Sequence, residues 1–323
     1  MRRTIGLTLL KITVTGALLY WLLANLDLPA FVQTLKQADR ELVVLALVLH
    51  LLAISLGGVR WWLLLQHTVS RSPLRVVFPG YYIGILFNNL LPSGMGGDAV
   101  RVLYLSRRGL SVRALLGSTI MDRGIGLFTV ILMGLVGVLL STHIPLQPVD
   151  KLMLWGLLGV VILGVLLLFS DWLNNTLERV RRYWPHSRLY NAMLDVVSLC
   201  HSYQHAQGLL LAALGLTILM QGLVILVYYY LGHSIGLVLP LLGYVVIIPI
   251  VFLSLSLPIS VGGLGVREGV LTGLLMSFQV AQQPAISLSL LFLVILWLSS
   301  LPGLILFFMA KAHKVQNNGL DPV

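Results

Sequence analysis

Six long, predominantly apolar runs, at residues 5–24, 42–65, 114–140, 152–170, 208–231 and 285–310, constrain this chain more than any other feature. Each is long enough to cross about 30 Å of hydrocarbon as an α-helix. Inside lipid a spanning segment must satisfy its own backbone polar groups, which only helices and closed barrels achieve. Barrel strands would be written as segments of about ten alternating residues, and these runs do not alternate. The fold class is therefore all-α, a polytopic integral membrane protein. Only 10% of the residues are charged and the mean hydropathy is +0.96, against roughly 25% charged in a soluble domain. The start, Met1-Arg2-Arg3 and then an apolar run, has the outline of a signal peptide, but "LLANLDLP" lacks a small-x-small cleavage site, so it reads as an uncleaved first span.

Two shorter apolar stretches, 76–91 and 241–257, run straight into a sentence written twice: "LPSGMGGDAVR" at 91–101 and "LPISVGGLGVR" at 257–267. Leu91, Pro92, Gly96, Gly97, Val100 and Arg101 pair with Leu257, Pro258, Gly262, Gly263, Val266 and Arg267 at a single offset of 166. Arg71 and Arg75 precede the first short stretch, and Arg101, Arg107, Arg108 and Arg113 follow it. Basic loops stay cytoplasmic, so both flanks belong on that side. A re-entrant hairpin over 76–109, turning at Pro92 to Gly97, meets that demand. An eight-span alternative that brings residue 91 out on the far side strands four arginines there. Carried forward, the six-span reading puts 141–151 outside and 171–206, with Arg179, Arg181, Arg182 and Arg188, inside as a cytoplasmic amphipathic loop. The second hairpin, 241–280, then enters from outside, and both termini are cytoplasmic. The chain is expected to be one membrane domain over 1–323, with a first half at 1–140 and a second at 208–310. Three spans separate the two copies of the motif, an odd number, so the halves are expected to be inverted relative to each other.

The formal charge of +10 is read here as orientation and contact with anionic lipid, not as nucleic acid binding. Cys200 is the single cysteine and excludes an internal disulfide. No Cys/His grouping has zinc spacing, and His201 with His205 lacks a third ligand, so no metal and no cofactor is expected. "LERVRRYWPHSRLY" at 177–190 reads either as a segment lying on anionic headgroups or as an ordinary cytoplasmic loop. "GMGGDA" at 94–99 fits the dinucleotide fingerprint formally, but that pattern needs a preceding strand in a soluble βαβ unit, and a membrane helix precedes it here. No Walker, nucleophile-elbow or two-histidine zinc motif occurs.

The candidate substrate-binding residues follow from the repeat. Pro92 and Pro258 break their helices. Gly96 and Gly97, with Gly262 and Gly263, permit close backbone approach and can present successive N–H groups to an anion. Each tip leads into a helix whose N-terminus carries partial positive charge, and inverted repeats with interrupted helices place such ends near the membrane midplane. Arg101 and Arg267 lie one turn in and suit a bidentate grip on phosphate; Arg101 alternatively belongs only to the cytoplasmic basic cluster. Arg60, Asp122 and Arg123 lie within apparent spans, where a charge costs roughly 2.5–3.5 kcal/mol, so they should face an interior and be paired. Asp122 and Arg123 point about 100° apart on a helix and so require partners on other elements. Arg123 or Arg60 with Asp98, and Asp122 with Arg101, are the expected pairs. The competing readings are that Arg60 and Asp122, near enough to a span end, snorkel, and that Asp98 and Glu268 serve only to cap the first turns of their helices.

In these pieces the chain resembles the lysylphosphatidylglycerol synthase transmembrane-region family, the flippase-like domain of multiple peptide resistance factors. The matching segments are "RWWLLL" at 60–65, "NLLPSGMGGDAVR" at 89–101, "DRGIGL" at 122–127 and "LPISVGGLGVREG" at 257–269. The resemblance implies a protein of the bacterial cytoplasmic (inner) membrane, or its archaeal counterpart, that moves an anionic phospholipid or lipid-linked intermediate between leaflets. Full-length relatives join this domain to a soluble aminoacyltransferase domain that these 323 residues do not contain. The expectation is thus a stand-alone member, a transporter and not an enzyme. Phosphatidylglycerol derivatives, polyprenyl-phosphate-linked sugars and hopanoid-type lipids all stay open as cargo. Its partners would be the anionic lipid itself and a second copy of the chain or lipid-biosynthesis enzymes. The competing readings are an intramembrane transferase using Asp98, Asp122 or Glu268 as general base, and an accessory protein of membrane lipid or polyprenyl-linked glycan synthesis.

Overall fold

A computed structural model describes residues 28–69, 72–91, 96–140, 170–181, 188–255 and 263–318, together with residues 156, 159 and 162–164. The apolar runs at 5–24 and over most of 152–170 lie outside the described residues, as do Pro92, Pro258 and Gly262. The chain is an all-α, multi-pass membrane protein. Its described helices are α1 (Leu28–Gln37), α2 (Arg40–Thr68), α3 (Leu74–Leu90), α4 (Gly96–Ser106), α5 (Val112–Leu140), α6 (Asp171–Arg181), α7 (Arg188–Ser202), α8 (Gln207–Ser234), α9 (Leu241–Leu255), α10 (Val266–Ser277) and α11 (Gln282–Asn318). Among them α2, α5, α8 and the Gln282–Ala310 part of α11 are long and apolar enough to cross a membrane.

The short helices form two pairs. α3 has 17 residues and α4 has 11, so they reach about 25 and 17 Å at 1.5 Å per residue. α9 and α10 have 15 and 12 residues and reach about 23 and 18 Å. None of the four covers 30 Å of hydrocarbon. α3 and α4 pack antiparallel: Gly80 faces Tyr104 and Leu105, while Gly84 faces Gly97 and Arg101. Gly97 sits where its own missing side chain would strike the carbonyl of Gly84, and its N–H donates to Asn88 Oδ1 at 2.9 Å. Only glycine lets the two backbones meet there.

The 166-residue offset of the motif carries through the helices around it. α2 shifted by 166 covers 206–234 and falls on α8; α3 falls on α9, α4 overlaps α10, and α5 overlaps α11. α2 and α8 run antiparallel down one shared interface. Asp39 N–H donates to the Ser234 carbonyl at 2.9 Å at one end, Arg60 reaches Thr217 in the middle, and Tyr203, just before α8, donates to the Leu64 carbonyl at 2.8 Å near the other. Two equivalent helices lying antiparallel is the relation an inverted repeat requires.

The hairpins do not stay with their own halves. α3 packs on α11, and α9 packs on α5. Gly303 in α11 lies against the Tyr82 carbonyl of α3, and Gly137 in α5 lies so close to α9 that an added Cβ would stand 3.0 Å from the Val245 carbonyl. Gly137 and Gly303 are related by the same offset of 166. Each hairpin thus rests on a glycine notch in the last helix of the other half.

α7 and the turn at Tyr203 pack over the ends of α2 and α5. Leu64, Met121, Cys200, Tyr203 and Ala213 form one apolar cluster there, Tyr190 donates to the Leu177 carbonyl at 2.6 Å to join α7 to α6, and Arg113 pairs with Asp195 at 3.0 Å on the exposed face. Burial pushes the Cys200 thiol up to about 11 and raises the Tyr203 phenol, because a thiolate or phenolate there would lose its hydration.

Candidate functional site

Five charged side chains from three helices form one alternating chain. Arg60 on α2 donates to Asp122 Oδ1 on α5 through Nε at 2.8 Å and Nη2 at 2.7 Å. Asp122 Oδ2 is 3.3 Å from Arg101 Nη2 on α4. The same Nη2 lies 3.2 Å from Asp98 Oδ1, one turn earlier on α4. Asp98 Oδ2 accepts from Arg123 Nε at 2.8 Å and Nη2 at 2.7 Å. The order is Arg60, Asp122, Arg101, Asp98, Arg123, with a cation at each end.

The two ends differ. At one, Arg60 Nη1 donates to Thr217 Oγ1 at 3.0 Å inside the α2–α8 interface, and Thr217 is fully buried. At the other, the Arg123 side chain is 51% exposed. Between them Arg101 lies on an aromatic floor, its guanidinium 4.2 Å from the centre of the Trp61 ring and 5.4 Å from that of Tyr81. Such stacking replaces part of the hydration a buried guanidinium gives up. Arg101 Nε and Trp61 Nε1 are buried and have no hydrogen-bond partner among the described residues.

Both expected pairings form: of the two candidates for Asp98 it is Arg123 that meets it, and Asp122 meets Arg101, while Arg60 adds a second pair to Asp122. Among the described residues the Asp98 carboxylate oxygens go to Arg101 and Arg123. The snorkelling alternative for Arg60 and Asp122 fails: both are about 5% exposed and tied to each other.

The second motif is built differently. Glu268 does cap α10: its Oε2 accepts from the Gly265 N–H at 2.6 Å. Its other oxygen is held by Arg267, its neighbour in sequence. Gly263 and Gly265 adopt φ of +79° and +82° to make that turn, a conformation suited to glycine. The Arg267 guanidinium lies 5.4 Å from the Phe292 ring, which stacks on Tyr228 at 4.1 Å and touches His50 edge-on at 5.5 Å. His50 Nδ1 is 2.8 Å from Ser299 Oγ. Among the described residues, neither Arg267 nor Glu268 forms an ion pair or hydrogen bond with the five-residue chain. Among the described residues the two tips therefore form two separate groups, one with a surplus of cations and one self-neutralised.

Sequence reasoning did not single out Thr217, Trp61, Tyr81 or Gly265. Trp61 sits inside the noticed "RWWLLL", where its aromatic character alone carries no sign of an arginine 40 residues away. Thr217 is one hydroxyl in a long apolar helix and has no sequence signal.

With this arrangement in view the comparisons become specific. The family described as the lysylphosphatidylglycerol synthase TM region matches residues 8–303, which span every helix of both motifs. The chain belongs to that family. Similar proteins include three described as UPF0104 membrane proteins. One, from Methanothermobacter thermautotrophicus, is 24% identical over 264 residues, covering 73% of this chain and 75% of the relative. Another, from Pyrococcus horikoshii, is 24% identical over 165 residues, half of this chain and 48% of the relative. A third, from Methanocaldococcus jannaschii, is 26% identical over 113 residues and about a third of each chain. The match thus spans about half the length of the Pyrococcus protein. Membership in the lysylphosphatidylglycerol synthase transmembrane-region family links this chain to membrane lipids.

Proposed function

We propose that this protein carries an anionic lipid, by its phosphate headgroup, between the leaflets of a cytoplasmic membrane in which both its termini face the cytoplasm. The observation that carries the reading is the charge balance of the buried chain: three arginines meet two aspartates. The surplus cation sits at the exposed end, at Arg123. A surplus charge within a membrane span is costly unless something of opposite sign joins it, and a guanidinium binds a phosphate oxyanion through two parallel hydrogen bonds. The headgroup would dock at Arg123 and Arg101 while the acyl chains stay in lipid. The repeat supports a rocking of one half against the other, with α3 and α9 as the elements that pack across the two halves. Against the transferase reading, each aspartate is already paired with two guanidinium groups, an arrangement that withholds it from acting as a base.

Reconstitution into vesicles tests this directly. A fluorescent phosphatidylglycerol should cross the bilayer faster with the protein than without it, as read from the fraction quenched by an impermeant reductant, and Arg123→Gln should slow the crossing by at least about tenfold, the loss of roughly 1.4 kcal/mol of headgroup binding. Equal rates for protein-containing and empty vesicles would sink the reading. Equal acceleration of phosphatidylglycerol and phosphatidylcholine would remove the anionic headgroup from it.

A further inference from the structure

Asp98 and Asp122 look alike in sequence and hold different positions in the chain of charges. Asp122 projects from the middle of a 29-residue helix and is clamped between two buried arginines. Asp98 stands in the first turn of an 11-residue helix at the hairpin tip. Its side chain is 12% exposed, more than twice that of Asp122, and it bridges buried Arg101 to half-exposed Arg123. We propose that Asp98 is an internal stand-in for the ligand: its carboxylate fills the place between Arg101 and Arg123 that a phosphate oxyanion takes during transport, and it withdraws when the phosphate arrives. The proposal rests on the functional reading above and names the residue that governs its binding step.

Three features of the geometry support it. First, the stand-in is chemically apt, since a carboxylate and a phosphate accept the same charge-assisted N–H donors. Second, it is an incomplete substitute. Both Asp98 oxygens are used, one by Arg101 Nη2 and one by Arg123, and Arg101 Nε stays buried with no partner among the described residues. A planar carboxylate cannot serve all three directions from this position, whereas a tetrahedral phosphate presents oxygens in more of them. A buried donor left unmet is costly, more so when charged, so the incoming phosphate gains what Asp98 leaves unmade. Third, the second motif lacks the device. Leu264 stands where the first copy has Asp98, and Arg267 is neutralised by Glu268, whose other oxygen is committed to the Gly265 N–H. The exchange of one anion for another is confined to the first hairpin. An anion site held shut by its own carboxylate stays paired when empty, which avoids a naked cation in the membrane.

The ligand chemistry is a phosphate oxyanion, from a lipid headgroup or from free phosphate. Binding is read on the full-length protein as protection of Arg123 from phenylglyoxal, followed by peptide mass spectrometry, with two probes: inorganic phosphate, and phosphatidylcholine vesicles with or without phosphatidylglycerol. Removing the internal competitor should strengthen binding, so Asp98→Asn should need about tenfold less phosphate or phosphatidylglycerol for half-protection, as expected if the site is vacated a tenth of the time or less in the unaltered protein. Unchanged or weaker protection in Asp98→Asn overturns the stand-in. Should that variant fail to fold, the unaltered protein decides: adding phosphate should speed amide hydrogen exchange across residues 96–101, as the tip loses its ion pairs, and slowed exchange there refutes displacement. Protection by inorganic phosphate alone keeps the stand-in and removes the lipid reading. Lipid crossing that persists while Asp98→Asn binds no tighter does the opposite.

Discussion

Asp122 accepts from Arg60 through both Nε and Nη2, at 2.8 and 2.7 Å, across the interface between α5 and α2. The same carboxylate also faces Arg101 at 3.3 Å. Removing it strands buried Arg60 and takes from Arg101 one of its two carboxylates. Breaking a buried pair costs about 3–5 kcal/mol, while replacing both partners by apolar side chains of similar volume is often neutral. Asp122→Ala should therefore lower the detergent-solubilised unfolding midpoint strongly, and Arg60→Met with Asp122→Leu should recover much of the loss. A single Asp122→Ala that unfolds like the unaltered protein would show that the pair is not formed.

Glu268 offers a parallel test with a different partner. It holds Arg267 and the Gly265 N–H together. Glu268→Gln keeps an acceptor for the N–H and removes the countercharge, so it should destabilise by about 3 kcal/mol. Arg267→Gln on that background should be less damaging than additivity requires. Because the second motif is self-neutralised, the double variant should retain headgroup protection of Arg123, which separates its structural cost from any loss of binding.

The glycine notches make a third prediction. Alanine at Gly303 would drive a methyl group into the Tyr82 carbonyl, and alanine at Gly137 would place one 3.0 Å from the Val245 carbonyl. Helical backbone yields little, so each should cost about 1–3 kcal/mol as overpacking. Gly273 in α10 has open space around it, and Gly273→Ala should be neutral or stabilising by about 0.5–1 kcal/mol from helix propensity. Thermal unfolding of the three variants side by side checks the contrast.

Cys200 predicts a pH dependence. Burial lifts its thiol from an ordinary 9.0 to about 11, so the folded protein keeps the proton where the unfolded chain releases it. The stability this contributes is complete below pH 9 and is lost as the pH rises through about 11. Alkylation follows the thiolate, so native protein at pH 8 should react with iodoacetamide far more slowly than protein in denaturant. Equal rates would mean that Cys200 is not covered by Gly117 and its neighbours.

Much of this architecture was legible in the residues. The runs at 42–65, 114–140, 208–231 and 285–310 became α2, α5, α8 and α11 with ends shifted by a few residues, because length and uniform apolarity are local properties that the bilayer enforces. The short stretches before each motif became α3 and α9 for the same reason. The pairs Arg123–Asp98 and Arg101–Asp122 were also accessible, since a charge at depth demands a partner and the candidates were few. Arg60 was not decided: it stood as one of two candidates for Asp98, and only the packing of α2 on α5 brings it to Asp122 instead.

What the sequence determined by itself was therefore a class and an inventory: an all-α membrane chain, a motif written twice, and more arginines than aspartates around it. The tertiary structure alone decided which charges meet. It laid α2 antiparallel to its repeat α8, seated each hairpin on a glycine of the opposite half, and kept Arg267 with Glu268, apart from the chain that ends at Arg123. None of this is written in the spacing of residues, because helices of nearly uniform apolarity carry no marked face, and their mutual rotation is set by the shapes that pack between them.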